Sequence, residues 1–310
     1  MPYLFIRHNL RDRAGNFCSP IIQHLYKQRK VAVSYAGCQQ NGDPLDYKNY
    51  SDKSNAKSQI KKFLQYASEG AIVFADFDQR LTENEVPSEG FGIIAGKIKP
   101  GTPVHVEHFE EILDANRRDK VDFLPLKTIQ LEETRLFKYS DFPLLLSAKP
   151  AGPVTFCNWN VIRRQLEGIW ERRELRLEAE NLSDQQLEIA CFEYLRLEGV
   201  LDCLQERIGK AMPDADIIGL NHKREVMLTQ VTHETNPEKI EDKITRLRRH
   251  SRDARCIFCA YAAVKKQIEH EPDIEFIALE KIINRLIQDE SSVQHEMVKR
   301  MINPWQFAKN

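Results

Sequence analysis

The chain has 310 residues, of which 42% are hydrophobic and 29% charged, with a formal net charge of -1. That balance excludes a disordered chain and leaves room for two domains that each bury a core. No run approaches the length of a membrane span, and the opening MPYLFIRHNLRDR lacks the apolar core and cleavage site of a signal peptide. A cytoplasmic protein with no membrane partner is expected. The seven cysteines are odd in number and scattered, which fits reduced thiols in a core. Only Cys256 and Cys259 form a C-x-x-C, inside the apolar run RCIFCAYAA, and no second Cys/His pair stands at zinc-ligand spacing.

The first 160 residues read as β-rich. VAVSYAG (Val31–Gly37), GAIVFADF (Gly70–Phe77), FGIIAGKI (Phe91–Ile98) and LPLKTIQLE (Leu124–Glu132) are apolar or β-branched runs bounded by Gly, Pro, Asp and Asn. One helix intrudes at Ser54–Ser68, with Ile60, Phe63, Leu64 and Ala67 on one face and lysines on the other. This order of elements, followed by a polar excursion and PVTFCNWN, resembles the PUA-like fold over about Tyr3–Asn160. The likeness is to its EVE and ASCH branches, in which a small twisted barrel holds a nucleobase. The resemblance implies base recognition here. Tyr35, Tyr47, Tyr50, Phe91 and Trp159 are then candidate walls, with Trp159, flanked by Asn158 and Asn160, the leading one.

From Val161 the sequence becomes charged and helical, and VIRRQLEGIWERRELRLEAENLSDQQ reads as an exposed connecting helix. The expected organisation is a PUA-like β-barrel domain over 1–160, a helical linker over 161–182 and an α/β domain over 183–310. Ser183 with Gln186 three residues on is the pattern of a capping box. Beyond it the pattern predicts a helix (Asp184–Glu198), a hairpin containing Asp216 and Gln230, and a basic helix (Pro237–His250). A strand (Ala254–Ala260), a helix (Ala262–His270), a strand (Ile274–Ile277) and a helix (Leu279–Gln288) follow. Together they give a layered α/β arrangement around a small sheet.

Within Ala211–Glu234, AMPDADIIGLNHKREVMLTQVTHE, Asp216 and Gln230 occupy facing points of an otherwise apolar hairpin. A strand-end cap with a cross-strand hydrogen bond is one explanation. A divalent-metal site is the other, because hard Mg²⁺ seeks oxygen ligands and two such residues present oxygens to one point. The segments LEIACFEYLRLEG, PDADIIG, LTQVTH, RCIFCAYA and IEFIALEKIINRLI, in this order, resemble the restriction-endonuclease-like fold, closest to Mrr-type type IV enzymes of the PD-(D/E)XK superfamily.

The resemblance implies that Asp216, Gln230 and Glu188 hold Mg²⁺ or Mn²⁺ for phosphodiester cleavage. It puts Thr232 where the family has a lysine. A neutral threonine cannot supply that charge. Lys239 or Lys243 from the next helix, His233, or a loss of cleavage are the open readings. Between Lys239 and Lys266 nine basic residues meet three acidic ones, and Lys243, Arg246, Arg248, Arg249 and Arg252 are read as a phosphate track rather than a plain solvated face.

The expected function is a DNA endonuclease of a bacterial or phage-defence system acting on DNA with modified or flipped bases. A nuclease-derived binding module that recruits a helicase or ATPase partner, and an RNA-directed nuclease or binder, remain alternatives. The tail Ser291–Asn310 is expected to pack on a second copy in a homodimer or to dock on its own domain.

Overall fold

The computed structural model describes residues 1–8, 19–35, 38–39, 42–51, 55–77, 92–108, 125–150, 155–209 and 214–308. Phe91 and the start of the Ala211–Glu234 stretch lie outside the described residues. The chain divides into two compact units, Met1–Arg163 and Arg164–Asn310. No helix among the described residues is long and apolar enough to cross a membrane.

The first unit runs β1 (Tyr3–Arg7), α1 (Ser19–Gln28), β2 (Lys30–Val33), α2 (Asn55–Glu69), β3 (Ala71–Asp76), β4 (Gly92–Ile98), β5 (His105–Glu107), β6 (Leu126–Gln130), β7 (Glu132–Lys138), α3 (Pro143–Ser147) and β8 (Phe156–Asn158). The closed barrel expected of a PUA-like domain is not what these strands form. Among the described residues they make a five-stranded sheet, β7-β4-β3-β1-β8, and a separate three-stranded sheet, β2-β6-β5.

The reason is β1, which pairs parallel to β3 and antiparallel to β8, so the larger sheet keeps two edges. Strand alternation gives that sheet two apolar faces. Leu4, Ile6, Val73 and Ala75 join one core with α1, β2 and part of α2. Phe74 stacks on Phe137, and edge-on contacts of Trp159 with Phe5 and Phe74 and of Phe142 with Phe137 extend the aromatic chain.

The second unit runs α4 (Arg163–Glu171), α5 (Asp184–Leu197), β9 (Cys203–Leu204), β10 (Ile217–Leu220), β11 (Val226–Val231), α6 (Pro237–Arg248), β12 (Arg255–Ala260), α7 (Lys265–Ile268), β13 (Ile274–Ala278), α8 (Leu279–Ile287) and α9 (Val293–Ile302). Its sheet has the order β13-β12-β11-β10-β9. β10 and β11 form an antiparallel hairpin, while β11, β12 and β13 run parallel with a helical crossover between successive strands.

Alternate residues feed two cores. Ile217, Met227, Ile257 and Cys259 face α5, α8 and α9. Ile218, Leu228, Cys256 and Phe258 face α6 and α7. The C-x-x-C cysteines therefore serve opposite faces of one buried strand, as an odd spacing in a strand requires.

One expectation changes here. α4 buries Leu166, Gly168, Ile169 and Trp170, and Gln165 donates to the Asn181 carbonyl at 2.9 Å, so it is a packed element rather than an exposed linker. The charged residues that made it read as exposed occupy its outer face. α9 docks on its own unit, where the wholly buried Asn303 accepts from the Leu175 N–H and donates to the Leu175 carbonyl, each at 2.8 Å.

Candidate functional site

The hairpin turn is made by Asn221, whose side-chain oxygen accepts the Lys223 and Glu225 amides at 3.0 and 2.9 Å. That turn sets the register, and Ile217 pairs with Thr229, which brings Asp216 opposite Gln230. The Asp216 amide donates to the Thr229 carbonyl at 2.9 Å. Asp216 Oδ2 accepts the Val231 N–H at 2.8 Å and the Gln230 side-chain amide. This is the cross-strand hydrogen bond that the polar pair predicts. It also leaves two oxygens, Asp216 Oδ1 and Gln230 Oε1, outside the hydrogen bonds made by the described residues. Burial raises the Asp216 carboxyl above its ordinary value, against the Val231 N–H and the Lys243 charge.

Glu188 comes from α5, whose start is fixed by the predicted capping box. Ser183 Oγ accepts the Gln186 N–H at 3.3 Å, and Gln186 Oε1 accepts the Ser183 N–H at 3.0 Å. The Glu188 carboxylate enters a space kept open by Gly209, where a Cβ would stand 2.5 Å from Oε2. The Gly209 N–H in turn donates to the Asp216 carbonyl at 2.8 Å. Gly209, with φ of +74°, therefore links the two acidic residues. Nothing in the spacing of the sequence marked it. Asp184, one helical turn before Glu188, is a further carboxylate whose charge acts on Asp216.

Asp216, Gln230 and Thr232 share the strand face that α6 covers. Lys239 reaches Glu234 at 2.9 Å, and the Asn236 backbone amide and Lys239 together hold that carboxyl down to about 2. Lys243, one turn further along α6, is the lysine whose charge acts on Asp216. Thr232 Oγ1 accepts the Glu234 N–H at 3.0 Å. His233 points to the other side, at hydrogen-bond distance from the Leu182 carbonyl (3.1 Å) and the Tyr261 hydroxyl (3.0 Å).

Part of the basic segment is paired within the chain. Arg246 pairs with Asp242 at 2.6 Å, Arg248 with Glu271, and Arg255 with Glu275 at 2.5 Å. Asp242 lies one turn away within the segment, whereas Glu271 and Glu275 lie beyond it, where a local charge count misses them. Lys243, Arg249 and Arg252 have no ion pair among the described residues.

Trp159 is corrected more fully. It is 1% exposed, its indole N–H donates to the Ala148 carbonyl at 2.9 Å, and its ring is 4.9 Å from Phe5. No face is free to stack on a base. Tyr35 is half-buried, and burial pushes its hydroxyl up to about 12.

Two carboxylates and an amide oxygen are the donor types a hard divalent cation takes. Among the described residues no three His, Cys, Asp or Glu side chains converge enough to hold a metal ion alone, so such an ion would keep several waters, as Mg²⁺ commonly does.

No family model and no curated protein sequence matches the chain. Among solved structures, the EndoMS-dsDNA2 complex is 17% identical and covers 60% of this chain and 67% of that one, with a TM-score of 0.24. The DNA modification-dependent restriction endonuclease AspBHI is 11% identical, covering 91% and 81% respectively, at a TM-score of 0.26. A repair endonuclease from Pyrococcus abyssi is 12% identical, covering 81% and 99%, at 0.21. TM-scores of this size assign neither fold nor function.

Proposed function

We propose that the second unit is a Mg²⁺- or Mn²⁺-dependent DNA endonuclease and that the first unit recognises a modified or flipped base, as in a type IV restriction system. The observation that carries the reading is the meeting of Asp216 and Gln230 across the hairpin, with Glu188 seated against Gly209. Asp216, Gln230 and Glu188 would hold the ion. When bound, it would polarise the phosphodiester and lower the pKa of a water. Lys243 takes the place of the lysine replaced by Thr232, orienting the attacking water or a phosphate oxygen. Lys239 is committed to Glu234. Lys243, Arg249 and Arg252 hold the backbone without reading sequence.

The test is incubation with Mg²⁺ or Mn²⁺ and duplexes bearing modified or unmodified cytosines. Cleavage that Asp216→Ala abolishes and Lys243→Met strongly reduces supports the reading. Tight binding with no cleavage of any substrate overturns the enzyme and leaves a nuclease-derived binding module, which the neutral Thr232 hydroxyl favours as the second reading.

A further inference from the structure

Lys127 on β6 is the first unit's least expected core residue, because it is 1% exposed. Its ammonium lies 3.3 Å from the Pro125 carbonyl and 5.4 Å from the centroid of the Tyr50 ring. No carboxylate pairs with it among the described residues. Among the described residues the Cys38 thiol is the ionisable group whose charge acts on it, and burial brings its pKa down to about 8. An ammonium removed from water without a counter-ion is strongly unfavourable, and groups of this kind mark binding or reactive sites.

The surroundings narrow the ligand. Tyr50 packs with Ala56 and Ile60, and Tyr35, Cys38 and Tyr47 pack against them. A second cation, the exposed Lys61, stands 5.8 Å from the Tyr47 ring centroid. Of the three acids between β2 and α2, Asp43 accepts the Leu45 N–H at 2.8 Å and Asp46 the Lys48 N–H at 2.9 Å, while Asp52 lies outside the described residues. Dry positive charge beside aromatic faces suits a ligand that joins an anion to a planar ring.

We propose that Lys127, Lys61 and this tyrosine cluster form a nucleotide-binding site, with the phosphate on the Lys127 ammonium and the base against a tyrosine ring. The nucleotide is either free or one unit of a strand. The inference does not depend on cleavage by the second unit.

Titration calorimetry of the whole chain without divalent metal tests it, using deoxyadenosine 5′-monophosphate, deoxyadenosine and a deoxyadenosine hexanucleotide. At pH 7 the monophosphate, the hexanucleotide or both should bind at least about tenfold more tightly than the nucleoside. That margin should shrink between pH 7 and pH 9, where the phosphate stays fully charged and Lys127 loses its proton. Lys127→Met should erase the margin without lowering the melting temperature, and Lys61→Ala should reduce it less. Binding of the hexanucleotide alone identifies the strand as the source. Equal binding of nucleoside and nucleotide, no binding of any probe, or an undiminished margin in Lys127→Met overturns the proposal. If Lys127→Met does not fold, a margin independent of pH and of Lys61 overturns it.

Discussion

Acid should loosen the first unit through His8. This residue is 2% exposed, its Nε2 accepts the Ala32 N–H at 3.2 Å, and its ring lies flat on Phe77 with centroids 4.3 Å apart. The proton therefore sits on Nδ1, which meets no acceptor among the described residues. Burial lowers its pKa to about 3 from an ordinary 6.5. The folded pKa is depressed and the charged form is the protonated one, so stability is full above pH 6.5 and falls as pH drops toward 3. Between pH 7 and pH 5 the unfolded chain takes up this proton and the folded unit does not, a loss of about 2 kcal/mol.

Urea unfolding of the whole chain, read by pulsed hydrogen exchange and mass spectrometry over β1, β2 and β3, would measure the loss in wild type and in His8→Phe. The variant should be weaker at pH 7, because the Ala32 N–H loses its acceptor. It should also lose about 2 kcal/mol less than wild type on going to pH 5. Carboxylates contribute equally in both proteins, so the difference isolates His8. Identical losses would refute the assignment of a buried neutral imidazole.

Three further outcomes follow from the geometry. Gly209→Ala should cut DNA cleavage sharply while costing about 1 kcal/mol of stability, since its Cβ meets Glu188 Oε2 and the backbone has φ of +74°; assays of cleavage and urea midpoint would check both. Trp159→Ala should destabilise the first unit by about 3–5 kcal/mol, as for other buried aromatics, and a variant of wild-type stability with selective loss of base discrimination would restore Trp159 as a reader. Replacing Arg249 and Arg252 with Ala should weaken DNA binding alike on all sequences and lower the salt slope by about two, whereas replacing Arg246 and Arg248, which hold Asp242 and Glu271, should change it less.

What was legible in the sequence is what local rules determine. The capping box at Ser183, the Asn236-Pro237 start of α6 with Asn236 accepting the Glu238 N–H at 3.0 Å, and the apolar strands of both halves declare themselves within a few residues. The facing of Asp216 and Gln230 followed from one short turn. The rest depends on distant partners. β1 was missed because YLFIR is a short run, and its parallel pairing with β3 separates the larger sheet from a barrel. Trp159 between two asparagines looked exposed, yet Ala148 and Phe5 enclose it. The basic segment looked unbalanced because Glu271 and Glu275 lie downstream of its helix.

The Asn303 clasp on Leu175 joins positions 128 residues apart in the chain. During synthesis, at about 5–20 residues per second, Leu175 leaves the ribosome's decoding centre roughly 6–25 seconds before Asn303 is added. The first unit has all of its residues before that interval begins. A nascent chain therefore carries a complete first unit while the second still waits for its closing residue, so a product that stops between Leu175 and Asn303 would hold all of the N-terminal unit's residues and an unclasped remainder of the second.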